Sequence, residues 1–286
     1  MTDLFLTNEA VVLSIAFYGS ILLAIFWETF LPRRRLSKPT WIRWLNNAGL
    51  WLINAALMKW LMIGLTLSIT IYAEQHEIGL LRILSPSEPV AIVFGLLLLD
   101  FFSAVKHRLF HVVPLLWRIH MVHHSDLDCD VSTSLRLHPL DVLVDNILWI
   151  MIVIAVGASP LTVLLYTLLI LALNPIRHSN VHIPDRIERF LRLFVVTPDY
   201  HRIHHSSIKR ETNSNYGVIF PWWDWLMQTY CAEPAHGQLE MTIGLKYFRG
   251  DGELWLPKML AQPFRRQISN ELPDDAKDEL ATVAIK

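Results

Sequence analysis

Cysteine is nearly missing from this chain. Its two cysteines, Cys129 and Cys231, are too few for a disulfide framework, and neither lies in a CxxC. They read as small or partly buried thiols. Charge is scarce as well: Asp, Glu, Lys and Arg make up 18% of 286 residues, against roughly 25% in a soluble globular domain. The charges nearly cancel, to −1, which removes any bulk electrostatic case for binding nucleic acid. There is no internal repeat beyond the histidine boxes described below, and no low-complexity tract. The start, "MTDLFLTNEA", lacks the basic n-region of a secretory signal, so the first apolar run reads as retained.

What replaces charge is oil. Hydrophobic residues are 53% of the chain, and tryptophan, at 11, suits membrane interfaces. A spanning helix needs about 20 mostly apolar residues. Residues 10–31 qualify, as do 45–72, with Lys59 as a blemish; 88–105 form a third, shorter span carrying Asp100. Two further runs, 142–156 and 160–175, join at Gly157-Ala158-Ser159-Pro160 and read as a deep membrane hairpin or two short tilted spans. The fold class expected is therefore all-α: an integral, multi-pass helical bundle of about three full spans plus a hairpin. Basic residues orient it. "PRRRLSK" at 32–38 follows the first span, and Lys106, Arg108, Arg118, Arg177 and Arg202 fall on the same side. That side should be cytoplasmic and should carry a helical cap. Three regions follow: 1–96 as membrane-spanning, 97–250 as catalytic with the hairpin at 142–175, and 251–286 as a polar, solvated tail.

The cap is rich in histidine. "HRLFHVVPLLWRIHMVHH", residues 107–124, holds five imidazoles where the chain average would place fewer than one. His107 and His111 make HxxxH; His120, His123 and His124 make HxxHH; His178 and His182 repeat HxxxH; His201, His204 and His205 repeat HxxHH. On a helix, residues three and four apart share a face. Pro114 ends one helix and starts another, and Thr197 or Asp199 can cap a helix beginning at Pro198. Several helices can thus aim imidazoles at one centre. Neutral imidazole binds Zn, Cu, Fe and Ni, and ten of them suit two ions. The other metal-based classes fit less well. A transporter would set its ligands inside the spans, and a zinc hydrolase of the familiar kind would show HExxH, which is absent.

With these boxes in view, the chain resembles the fatty acid hydroxylase / sterol desaturase superfamily of membrane di-iron oxidoreductases. The similarity runs from "DFFSAVKHRLFH" through "LLWRIHMVHHS", "TSLRLHP", "RHSNVHIP", "TPDYHRIHHS" and "NSNYG" to "WWDWLMQTY", over residues 100–230. The resemblance implies two Fe ions held by His107, His111, His120, His123, His124, His178, His182, His201, His204 and His205, with the residues of the first, second and last boxes as the catalytic core. It further implies O2 as co-substrate, hydroxylation or desaturation of a lipid C–H bond, and electrons from a separate cytochrome, ferredoxin or reductase. The location implied is the inner or plasma membrane of a bacterium, or the endoplasmic reticulum of a eukaryote. One departure stands out: Met227-Gln228 precede Thr229 where the family usually has Phe-Gly.

Other residues carry smaller expectations. Asp100 and Asp126 can orient ligand imidazoles by accepting an N–H; Asp100 can equally partner a nearby base. His138 reads either as an accessory ligand or as a capping or interfacial residue. His76 and His236 should lie on the surface. Asn215 and Asp224 should fix turns, and Trp222, Trp223 and Trp225 should form an interfacial belt.

Overall fold

The computed structural model describes residues 9–61 and 65–265. Ten helices carry the architecture: α1 (Glu9–Phe30), α2 (Thr40–Leu61), α3 (Leu65–Gln75), α4 (Leu80–Leu84), α5 (Glu88–Val112), α6 (Pro114–His124), α7 (Pro139–Val156), α8 (Pro160–His178), α9 (Asp185–Leu191) and α10 (Pro198–His204). A 3-10 turn, Val131–Leu135, lies between α6 and α7, and short turns of helix follow α10. Among the described residues no strand forms; two isolated bridges, Pro32 with Val181 and Ser206 with Ile243, are all the β pairing there is.

Among the described residues four helices are long and apolar enough to cross a membrane: Ala10–Phe30, Glu88–Val112, Pro139–Val156 and Pro160–His178. The molecule is an integral membrane helical bundle. Residues such as Ile15, Leu22, Phe26, Val93, Phe94 and Met151 point outward, as a lipid-facing surface requires. Inside, Leu81, Leu99, Val153, Val156, Tyr166 and Ile219 pack together.

Two of the expected membrane segments gain detail in the structure. The hairpin helices are 18 and 19 residues long, about 27 Å each at 1.5 Å per residue, so each reaches spanning length. Pro139 and Pro160 each begin a helix, and the His138 ring and the Ser159 hydroxyl accept from Leu140 N and Thr162 N to cap them. The expected span 45–72 falls on α2, on α3 and on residues 62–64, which lie outside the described residues; neither helix by itself is among the four. α2 has a polar inner face: Arg43, Asn46, Asn47 and Asn54 turn inward and are buried. The Asn47 amide donates to Asp126 and Ser132, and that of Asn54 to the Leu137 carbonyl. The chain still reaches the far end of the bundle after α3. There Gly79, at φ 111°, lies against Gly157, at φ 69°; a Cβ on Gly79 would stand 2.4 Å from the Gly157 Cα, so only glycine fits.

Nor is 251–265 a solvated tail. Leu254 and Met259 are buried, and Met259 packs with Leu50 of α2 and Val122 of α6. The rest of the expected tail, 266–286, lies outside the described residues, as does most of the N-terminal stretch read for a signal peptide.

Candidate metal centre

α5 runs unbroken through His107 and His111. Val113 is extended, as the residue before a proline prefers, and Pro114 opens α6 toward the same centre. Thr197 accepts from Tyr200 N to cap α10, which carries the last box. The imidazoles gather in two groups: His107, His111, His120, His124 and His204 in one, and His123, His178, His201 and His205 in the other. Within each group the nearest ligand atoms all lie within 4.8 Å of one another. Each HxxHH box is split. The i, i+4 pair His120 and His124 enters the first group and His123 the second, while His201 and His205 enter the second and His204 the first. A one-residue step on a helix turns about 100°, which sends adjacent histidines to neighbouring centres.

Hydrogen bonds decide which ring nitrogen is free. The Nδ1 atoms of His107, His123, His178 and His204 face the carbonyl oxygens of Tyr216, Arg136, Asn174 and Ser214, at 3.0, 3.2, 2.8 and 2.7 Å. A carbonyl only accepts, so each Nδ1 carries the proton and each Nε2 presents a lone pair. Yet His123 Nε2 lies 3.2 Å from His178 Nε2, and His107 Nε2 lies 3.0 Å from His204 Nε2. Two lone pairs at that distance repel unless a cation lies between them, and one such contact occurs in each group. His111 and His124 have both ring nitrogens buried without a partner, as is His120 Nε2. Protons are poor cations here. Burial, then the neighbouring imidazoles, pushes His123, His124, His201 and His205 well below the ordinary histidine range, and burial takes His204 down to about 3. Neutral, orphaned, convergent imidazoles fit transition-metal ions.

The comparisons with known proteins agree with this chemistry. A family model described as fatty acid hydroxylase matches residues 92–229. Over these residues, just under half of its length, the chain is similar to the fatty acid hydroxylase family. Ornithine lipid hydroxylase OlsE of Rhizobium tropici is 33% identical over 190 residues, 66% of this chain and 55% of its own length. Human alkylglycerol monooxygenase is 29% identical over 129 residues, 44% and 27% of the two chains. Human cholesterol 25-hydroxylase is 29% identical over 140 residues, 48% and 50%. The chain thus spans about half the length, or less, of these curated relatives. No solved structure matches it.

Several of the expected site residues take other roles. His182 stands outside both groups; its Nδ1 meets Arg33 Nη1 at 3.0 Å, and Arg33 also pairs with Asp199 at 2.9 Å. Because the backbone at 181 bridges to Pro32, His182 is drawn toward α1's end rather than toward the other rings. His138 is a helix cap, its Nε2 3.3 Å from the Leu260 carbonyl. Asp100 holds no imidazole. It accepts from Tyr166 Oη, Ile219 N, Phe220 N and Trp223 Nε1, clamping the 216–223 segment to α5. Asp224 accepts from the Tyr216 and Gly217 amides, and the two carboxylates together fix the Tyr216 carbonyl that receives His107. Asp126 likewise binds Arg43, Asn47 and Thr133, not a histidine. Of the three tryptophans, Trp223 is drawn in by Asp100 and Trp222 donates to the Leu193 carbonyl, whereas Trp225 is exposed. His76 and His236 are exposed, as expected.

The carboxylate that does orient a ring is Asp141, whose Oδ2 lies 2.9 Å from His120 Nδ1. In sequence it looks like an ordinary acidic residue in the first turn of α7, which favours the helix dipole there. The backbone carbonyls that orient the other rings leave no sequence signal at all. Beside the two groups lies a cavity of about 380 Å³. His107, His120, His123, His178 and His201 line it, and Phe110, Leu137, Trp149, Ile170 and Val218 supply apolar lining.

Proposed function

We propose that this chain is a membrane-bound, O2-dependent oxidoreductase that hydroxylates a C–H bond of a lipid, with residues 97–250 as the catalytic unit. The single observation that carries the reading is the pair of unprotonated Nε2–Nε2 contacts, one in each histidine group, on the wall of a cavity set among spanning helices. His107, His111, His120, His124 and His204 would hold one iron, and His123, His178, His201 and His205 the other. The irons, when bound, supply dioxygen activation. The remaining steps belong to the chain. Carbonyls of Arg136, Asn174, Ser214 and Tyr216, and the Asp141 carboxylate, keep the Nδ1 protons in place, so the ligand nitrogens point inward without reorganising. The apolar wall admits an alkyl segment and excludes water from the oxidising site.

The overall balance is R–H + O2 + 2e⁻ + 2H⁺ → R–OH + H2O. The two electrons come from a separate cytochrome, ferredoxin or reductase. Membrane lipids, such as the ornithine lipids and alkylglycerols named for the relatives, are the substrate class. The metal centre would face the cytoplasm. Supporting this, Arg33 of the basic run pairs with Asp199, two residues before His201, so positive charge and histidines share one end of the bundle. Desaturation begins with the same hydrogen abstraction and is read out by the same experiment. Purified protein should bind two irons per chain. With reductant and a lipid extract it should consume O2 and yield a lipid heavier by one oxygen; a loss of two hydrogens would mean desaturation. Absence of bound iron together with no O2 uptake on any lipid fraction would overturn the reading.

A further inference from the structure

The cavity beside the histidines is not lined as a bare hydrocarbon channel would be. An ion pair sits on its wall: Lys106 Nζ lies 2.6 Å from Asp145 Oδ1, joining α5 to α7. Among the described residues each is the other's only charged partner. The Asp145 side chain is 43% exposed and that of Lys106 12%, so the pair borders the cavity and reaches its outer edge. Lys106 Nζ also lies 5.8 Å from the ring centre of Trp149, on the same wall. The placement is close to the chemistry. Lys106 directly precedes His107, and Asp145 lies one helical turn beyond Asp141, the partner of His120.

We propose that Lys106 and Asp145 are the headgroup-recognition pair of this cavity, and that they select a zwitterionic lipid. The lipid's anionic group would meet Lys106 and its ammonium group Asp145. This rests on the lipid-hydroxylase reading and deepens it. The physical argument is charge conservation at a pair whose lysine is largely buried. A headgroup with net charge of one sign satisfies one member of the pair and leaves the other uncompensated beside the bilayer. A neutral headgroup offers neither member a charge-assisted bond. A dipolar headgroup exchanges one internal ion pair for two external ones at no change in net charge. The consequence is regiochemical. With its charged end held one residue from His107, the lipid presents a carbon near its headgroup to the metal centre, not the far end of an acyl chain.

Lipid retention tests this independently of turnover. Wild-type protein, metal-loaded and metal-free, is mixed in detergent with lipids of matched chains, and bound lipid is read by native mass spectrometry. The zwitterions are an ornithine lipid (carboxylate and ammonium) and phosphatidylethanolamine (phosphate and ammonium); phosphatidylglycerol and diacylglycerol are the anionic and neutral controls. The wild type should retain at least one zwitterion about tenfold better than either control, the scale of one charge-assisted bond. Lys106→Met and Asp145→Asn should each abolish that preference, while Lys106→Arg, which keeps the charge and guards against a folding artefact, should keep it. No preference in the wild type, or a preference that survives both neutralising variants, overturns the proposal. If the preference behaves as expected but no zwitterion is ever oxidised, the hydroxylase reading falls and the recognition pair stands.

Discussion

Two buried polar clusters lie side by side in this molecule, and they are built on opposite rules. The first is the network of Arg43, Asp126, Asp130, Arg136 and Asn47. Arg43 gives its Nε and an Nη to Asp126 at 2.7 and 2.9 Å and the other Nη to Asp130 at 2.5 Å; Arg136 bonds the Val122 carbonyl, Asn47 and Ser125. Every guanidinium and carboxylate there finds partners within the chain. Burial alone would raise the Asp126 carboxyl, but the adjacent guanidiniums overcome it and hold it well below the usual carboxylate range. The second cluster is the histidine cage, where His111 and His124 have no partner at either ring nitrogen and facing lone pairs meet in both groups. A saturated network completes itself and holds up a fold. An unsaturated one, kept at such cost in a folded core, is completed by something the chain does not encode.

Four measurements would sharpen or break that contrast. The largest effect is expected at His204→Ala, which removes one imidazole of the five-membered group and the partner of His107. Bound metal should fall toward one ion per chain and turnover should drop at least about a hundredfold; full metal content by elemental analysis would dissolve the distinction. Next comes Arg43→Met, which leaves Asp126 and Asp130 buried without their cation. It should cost about 3–5 kcal/mol of stability, read as lower resistance to thermal unfolding even with metal bound. Hydrophobic replacement of the whole network should recover much of that loss, whereas no set of apolar residues should recover function in the cage.

The third is pH. The buried imidazoles of His123, His124, His201, His204 and His205 have folded pKa values below that of an unfolded histidine, near 6.5. Protons therefore bind the unfolded chain preferentially as pH falls from about 6.5 toward 3. Metal-free protein should lose stability across that window and metal-loaded protein should resist it in the upper part. A flat melting temperature from pH 7 to 5 in the metal-free form would contradict the buried, neutral cage. The smallest effect lies outside both clusters. Gln228 follows the short helix Trp222–Leu226 in the left-handed region, at φ 58°, where glycine is the usual helix-ending residue. This is the position at which the sequence departs from the family's Phe-Gly. Gln228→Gly should stabilise by up to about 1 kcal/mol and leave metal content unchanged, a control that neither cluster feels.

Much of this was legible in the sequence because the signals are local. An apolar run reports a spanning helix through composition alone, and 10–31 and 88–105 became α1 and the greater part of α5. The i, i+3 and i, i+4 histidines report a shared helical face, and nine of the ten gathered. What escaped was whatever depends on a partner far away in the chain. Asp141 reaches His120 across 21 residues. The carbonyls of Arg136, Ser214 and Tyr216 are backbone atoms that any residue carries. The inward polar face of α2 went unread in the sequence, because its reason, the Asp126–Asp130 segment, lies about 80 residues on.

The sequence by itself determined that this chain lives in a membrane and masses imidazoles beside its spans, because hydropathy and helical periodicity are properties of neighbouring residues. Only the tertiary structure decided that each HxxHH box is shared between two centres, that His182 and His138 belong to neither, and that in each group two ring lone pairs are brought face to face. Those outcomes depend on which way a helix is rotated when it packs, and rotation is set by contacts that no single stretch of sequence contains.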